Sequence, residues 1–149
     1  MNVPKSRLIL IVDDDEDDRM FVRNALSQVD PDVRIAEAVD GFEALAYLRD
    51  SSKTFPDLVL LDLKMPRKDG LETLADVRED PTLRHVPVVA MFTTATDPEF
   101  VRRAYLAGAN AYIGKPSNMA SLRDVMSGLV KHWFEIVTLP ESDHPKDVT

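Results

Sequence analysis

The chain has no cysteine, which excludes disulfides, thiol chemistry and any cysteine-based zinc site. Its three histidines, His85, His132 and His144, stand far apart and form no ligand motif. Long apolar runs are also missing. Nothing approaches the roughly 20 residues of a membrane span, and the first apolar run, Leu8–Val12, is too short for the core of a signal peptide. Positive charge is scarce: 18 Lys and Arg against 26 Asp and Glu leave a net charge of -8. That balance is the opposite of a surface built to hold nucleic acid. These absences point to a cytoplasmic protein with neither a nucleic-acid nor a membrane partner.

What remains is ordinary in bulk, with 44% hydrophobic and 30% charged residues over 149 positions, enough for one domain with a sizeable core. The information lies in where the apolar runs stop. Leu8–Val12 runs into Asp13 and Asp14, and Leu58–Leu61 into Asp62. Val88–Phe92 runs into Thr93, and Ala111–Gly114 into Lys115. Short apolar runs bounded by polar residues read as strands buried on both faces.

Helical spacing fills the intervals. Val22, Ala25, Leu26 and Val29 share a face in a helix from about Glu16. Ala44, Leu45 and Leu48 do so after Asp40-Gly41, and Leu71, Leu74 and Val77 after Gly70. Pro98 suits a first helical turn and Gly108 a helix end. Leu122, Val125, Met126, Leu129, Val130 and Trp133 mark a last helix. A further strand over about Val33–Val39 completes five β-α units. The pattern predicts an α/β fold with a doubly wound five-stranded parallel sheet. In such sheets ligands bind at the carboxyl ends of the strands, where three carboxylates, a hydroxyl and an ammonium would gather.

Each residue also has a plainer reading. The acidic run Asp13–Asp18 would by default be a solvated helix start, favoured by the helix dipole, and Glu16, Asp17 and Asp18 are read that way. Asp13 and Asp14 differ because they sit at the mouth of a buried strand, where paired carboxylates are costly unless a cation or proton joins them. Their oxygen chemistry selects Mg²⁺ or a similar hard ion. Asp62 taken alone is a turn residue, but the runs Leu8–Val12 and Leu58–Leu61 lying side by side as strands would add it to the cluster, and a carboxylate is a recognised nucleophile toward phosphoryl groups. Thr93 and Thr94 fit a strand end equally well, Lys115 an ordinary surface, and Tyr112 a packing role. Lys115-Pro116 is a bond of the kind that can be cis in tight turns.

Taken jointly, Ile11-Val12-Asp13-Asp14, Leu60-Leu61-Asp62-Leu63-Lys64-Met65-Pro66 with Asp69-Gly70, Thr93-Thr94 and Tyr112-Ile113-Gly114-Lys115-Pro116 resemble the receiver domain of two-component response regulators. The resemblance implies a flavodoxin-like (βα)5 fold with strand order 2-1-3-4-5. It implies a receiver domain over 6–134, followed by a C-terminal arm and flexible tail over 135–149. It makes Asp62 the phosphoacceptor, with Mg²⁺ held by Asp13, Asp14, Asp62 and the Lys64 backbone carbonyl. Lys115 would pair with the phosphoryl oxygens, and Thr93 and Tyr112 would be the switch. The expected activity is self-catalysed phosphotransfer and dephosphorylation rather than enzymatic turnover.

The ending Trp133-Phe134 with Val137-Thr138-Leu139-Pro140 is similar to that of small response regulators paired with bacterial phytochromes. It implies a sensor histidine kinase of bacteriophytochrome type as phosphodonor, and a homodimer through the C-terminal region. An appended output domain is not expected in 149 residues. Three rivals remain: a flavodoxin-type carrier, an aspartate-nucleophile phosphatase, and a degenerate receiver acting as a phosphorylation-independent binding module.

Overall fold

The computed structural model describes residues 6–141; the polar end from His144 to Thr149, expected to be loose, lies outside them. Five strands are formed: β1 (Leu8–Val12), β2 (Arg34–Ala38), β3 (Leu58–Leu61), β4 (Val88–Thr93) and β5 (Ala111–Gly114). They alternate with α1 (Glu16–Val29), α2 (Gly41–Arg49), α3 (Gly70–Glu79), α4 (Pro98–Ala107) and α5 (Met119–Val130). The sheet is parallel throughout, in the order β2-β1-β3-β4-β5, which is the expected flavodoxin-like fold.

Side-chain alternation explains why the central runs are continuously apolar, since successive residues point to opposite faces. Leu10, Val12, Val59, Leu61, Val89 and Met91 face Ala44, Leu45, Leu48, Leu74, Val77 and Ala104 from α2, α3 and α4. Ile9, Ile11, Leu58, Leu60, Val88, Ala90 and Phe92 face Val22, Leu26, Leu122, Met126 and Leu129 from α1 and α5. A strand covered on both sides has no face to leave polar. The fifth run departs from this expectation. β5 is half-buried rather than buried, because it is the sheet's edge and has a strand neighbour on one side alone.

The helix ends follow local chemistry. Asp15, Asp40, Asp69 and Asn118 cap α1, α2, α3 and α5 by accepting backbone N–H bonds in the first turn. Glu72 completes a capping box on α3. Pro98 opens α4, and Gly108, at φ 109°, closes it in the left-handed region. The described residues contain no cis peptide bond, so Lys115-Pro116 is trans.

Beyond α5 a π-type helical segment, Lys131–Ile136, continues the chain. Trp133, Phe134 and Leu139 pack against the α1–α5 side of the core. The Arg7 guanidinium bonds both Asp57 and the Pro140 carbonyl, tying this segment to the start of β1. Ile136 stays 65% exposed.

Candidate functional site

Strand register brings the polar run-ends together. Val12 pairs with Leu61, and the ladder continues one step further: the Asp62 N–H donates to the Val12 carbonyl at 2.9 Å. Asp13 therefore follows β1 beside the acceptor candidate on β3. On the other side the Lys115 N–H donates to the Thr93 carbonyl at 2.9 Å. The same end of the sheet thus presents Asp13, Asp14, Asp62, Thr93 and Lys115.

Asp13 and Asp62 are both buried, at 4% and 8% exposure, while Asp14 is exposed. Asp13 Oδ1 accepts the Asp15 N–H at 2.9 Å, and the Arg19 guanidinium holds the Asp13 carbonyl at 2.7 Å. Asp62 Oδ1 accepts the Leu63 N–H at 2.8 Å. The close start of α3 behind Asp62 requires a glycine: a Cβ on Gly70 would lie 2.2 Å from the Asp62 carbonyl oxygen.

Lys115 is the cation of the cluster. Its Nζ lies 2.7 Å from Asp13 Oδ2, 2.9 Å from Asp18 Oδ2 and 3.3 Å from Asp62 Oδ2. Burial works against the ammonium, but the bonds to Asp13 and Asp18 and the charges of Asp13 and Asp62 outweigh it, and the lysine pKa stands well above its ordinary value. Burial lifts the Asp13 carboxyl above the usual range despite its bonds to Lys115 and the Asp15 N–H, and the nearby Asp62 charge adds to the rise. The two directions share one cause, acids crowded around a single base in a desolvated place.

Asp18 corrects the sequence reading. Taken there as part of a solvated helix start, it instead bonds Lys115 across 97 positions of sequence. No local pattern separates Asp18 from Asp17; the difference is that the third residue of α1 turns toward β5 in space.

Thr93 is buried at 1% exposure, and its Oγ1 accepts the Ala95 N–H at 3.2 Å, whereas Thr94 is exposed. Tyr112 packs on the opposite sheet face from Ile113, as the alternation predicts, and its hydroxyl donates to the Ala95 carbonyl. Both candidate switch residues therefore hold the same residue of the β4–α4 loop. Lys64 is exposed, with its Nζ 5.9 Å from the Phe100 ring centre. It borders a cleft that Asp14, Pro66, Phe100 and Arg103 also line.

The donor set fits a hard divalent ion. Carboxylate oxygens of Asp13, Asp14 and Asp62 all lie within 4.8 Å of one another. An ion about 2.1 Å from each oxygen needs them about 3–4 Å apart, a spacing compatible with this trio. Sulfur and imidazole ligands are absent from the trio, which again favours a hard ion.

Comparison with known proteins agrees with this geometry. The response regulator receiver domain family matches residues 9–127. The response regulator Rcp1 of Synechocystis sp. is 35% identical over 143 residues, which span 93% of this chain and 95% of that protein. The crystal structure of the phosphorylated cyanobacterial phytochrome response regulator RcpA superposes with a TM-score of 0.85 at 33% identity, covering 91% of this chain and 99% of the other. The Mn²⁺-bound form of Rcp1 superposes with a TM-score of 0.81 at 33% identity, covering 90% and 99%.

Proposed function

The chain belongs to the response regulator receiver domain family, and from that premise we propose that it accepts a phosphoryl group from a sensor histidine kinase onto Asp62 in a Mg²⁺-dependent reaction. The observation that carries this reading is the placement of Asp62: a buried carboxylate 3.3 Å from the Lys115 ammonium, within 4.8 Å of two further carboxylates, beside an open cleft. Asp13, Asp14 and Asp62, with the Lys64 carbonyl of the turn that follows, would hold the ion, and when bound it supplies positive charge against the phosphoryl oxygens.

The chain's own residues do the rest by position and charge, as phosphoryl transfer requires. An Asp62 oxygen attacks phosphorus, the bond from phosphorus to the partner's histidine nitrogen breaks, and the electron pair leaves with the imidazole. Lys115, now among carboxylates, turns to the new phosphoryl oxygens. The product adds about -1.5 to -2 charges beside β4, by analogy with other phosphorylated side chains. Thr93 turns its hydroxyl to donate to a phosphoryl oxygen, giving up the Ala95 N–H that it accepts in this structure, and Tyr112 is released with the loop. Such a differential contact biases a two-state element formed by α4 and β5. Self-catalysed transfer and hydrolysis, without turnover of a free substrate, complete the role.

The likeness to Rcp1 and RcpA supports a bacteriophytochrome-type kinase as the donor and a light input. Exposed Ile136 supports a dimer through the C-terminal region, in a cytoplasmic protein. A phosphorylation-independent binding module is less favoured, because Asp13, Asp14, Asp62, Thr93 and Lys115 are all present and assembled.

Mass spectrometry of the intact chain after incubation with Mg²⁺ and acetyl phosphate tests this directly. The expected result is a labile gain of one phosphoryl group that disappears in Asp62→Asn or with chelator. An unchanged gain in Asp62→Asn contradicts the assignment, as does no gain from either this donor or a purified phytochrome kinase. Native masses of the same samples show dimers if the C-terminal reading holds, and monomers at high concentration if it fails.

A further inference from the structure

The Lys115 ammonium has three N–H groups and three carboxylate neighbours. Two of them, Asp13 and Asp62, belong to the trio that fits a cation, and the third, Asp18, does not. A divalent ion in that trio and the ammonium therefore compete for the same two carboxylates. The Lys115 side chain is only 11% exposed, so losing both contacts would leave a charge without solvent to compensate it.

Asp18 is placed to prevent that. Its side chain is 39% exposed and stands on the first turn of α1, which the Asp15 cap fixes by accepting the Asp18 N–H at 3.1 Å. The contact with Lys115 thus comes from a rigid element and lies on the solvent side of the cluster. Neighbouring Asp17 carries the same charge on the same turn but is exposed.

Resting on the cation-site reading above, we propose that Asp18 is a positioning residue: it retains the Lys115 ammonium at the mouth of the site when Asp13 and Asp62 turn to a divalent ion. The ammonium then stays paired, and close enough to meet the phosphoryl oxygens that arrive afterwards. Asp18 acts through Lys115 rather than on the ion or the acceptor.

Calorimetric titration of the full chain with Mn²⁺ at neutral pH, without phosphodonor, tests this separately from phosphotransfer. Asp18→Asn is expected to weaken Mn²⁺ binding about tenfold, against at most about threefold for the equal charge loss in Asp17→Asn, a difference within the range of coupled neighbours. Asp18→Glu should restore most of the loss. In a Lys115→Met background, adding Asp18→Asn should cost no more than Asp17→Asn does. The proposal is overturned if Asp18→Asn costs no more than Asp17→Asn, or costs the same factor with and without Lys115. The Asp17→Asn and Asp18→Glu arms leave Lys115 intact and decide the matter even if Lys115→Met folds poorly. A native chain that binds no Mn²⁺ at millimolar concentration is a distinct result, which overturns the cation-site reading and this proposal with it.

Discussion

The centre of the sheet and its β5 edge are held with different firmness. In β1, β3 and β4 every residue is buried, and the carboxylates Asp13 and Asp62 extend directly from two of these strands. β5 is half-buried, and α4 beside it buries Ala104 alone, leaving Tyr105 and Leu106 at 50% and 74% exposure. Asp13 and the acceptor candidate Asp62 are therefore anchored on densely packed strands, and the expected response lies where little packing must be broken. Elements with few buried contacts open at lower cost than core strands. Thr93 and Tyr112 stand on the border, both tied to Ala95, so one local event can be passed from the firm centre to the loose edge.

Substitutions can break this contrast. The largest effect is expected for Leu60→Ala on β3, 1% exposed between two helical layers, which should cost about 2–5 kcal/mol by cavity formation. Leu106→Ala on α4 should stay within about 0.5 kcal/mol, as exposed positions do. Urea unfolding of both variants checks the pair, and similar midpoints would remove the contrast.

A smaller effect should appear at Asp40, the cap of α2. The Glu43 N–H bond lowers its carboxyl below the ordinary 3.8 against the opposing effect of burial, and Arg67 lowers it further. Because the folded value is depressed, its stabilising contribution is full above about pH 3.8 and fades as pH falls through the lower folded value. The native chain should therefore exceed Asp40→Asn in stability at pH 6, by under about 1 kcal/mol since Arg67 is largely exposed, and lose that advantage as pH falls through the depressed folded value. A constant difference across the range would contradict the assignment.

Much of this contrast was visible in the residues. Leu58–Leu61 and Val88–Phe92 are apolar without alternation, which only a strand covered on both faces tolerates, and each stops where the sheet ends. Joining those ends at one place needed the parallel order, which the β-α alternation supplied. The edge character of β5 was not visible in its own residues, because Ala111-Tyr112-Ile113 is as apolar as a central run; only the strand order implied by the resemblance put it at the edge. Asp18 was hidden for a different reason: acidic residues at a helix start are already explained by the dipole, and its partner Lys115 is remote in sequence. The π-type turn at Lys131–Ile136 left no sign in the helical spacing that leads to Trp133, and its widening has no evident local cause.

The most direct test compares amide hydrogen exchange in the unphosphorylated chain and in the chain phosphorylated at Asp62. Exchange should change in the Ala95 loop, α4 and β5 and stay unchanged in β1 and β3. Change concentrated in β1 and β3, or no change beyond Asp62 itself, would contradict a firm chemical centre driving a loose responding edge.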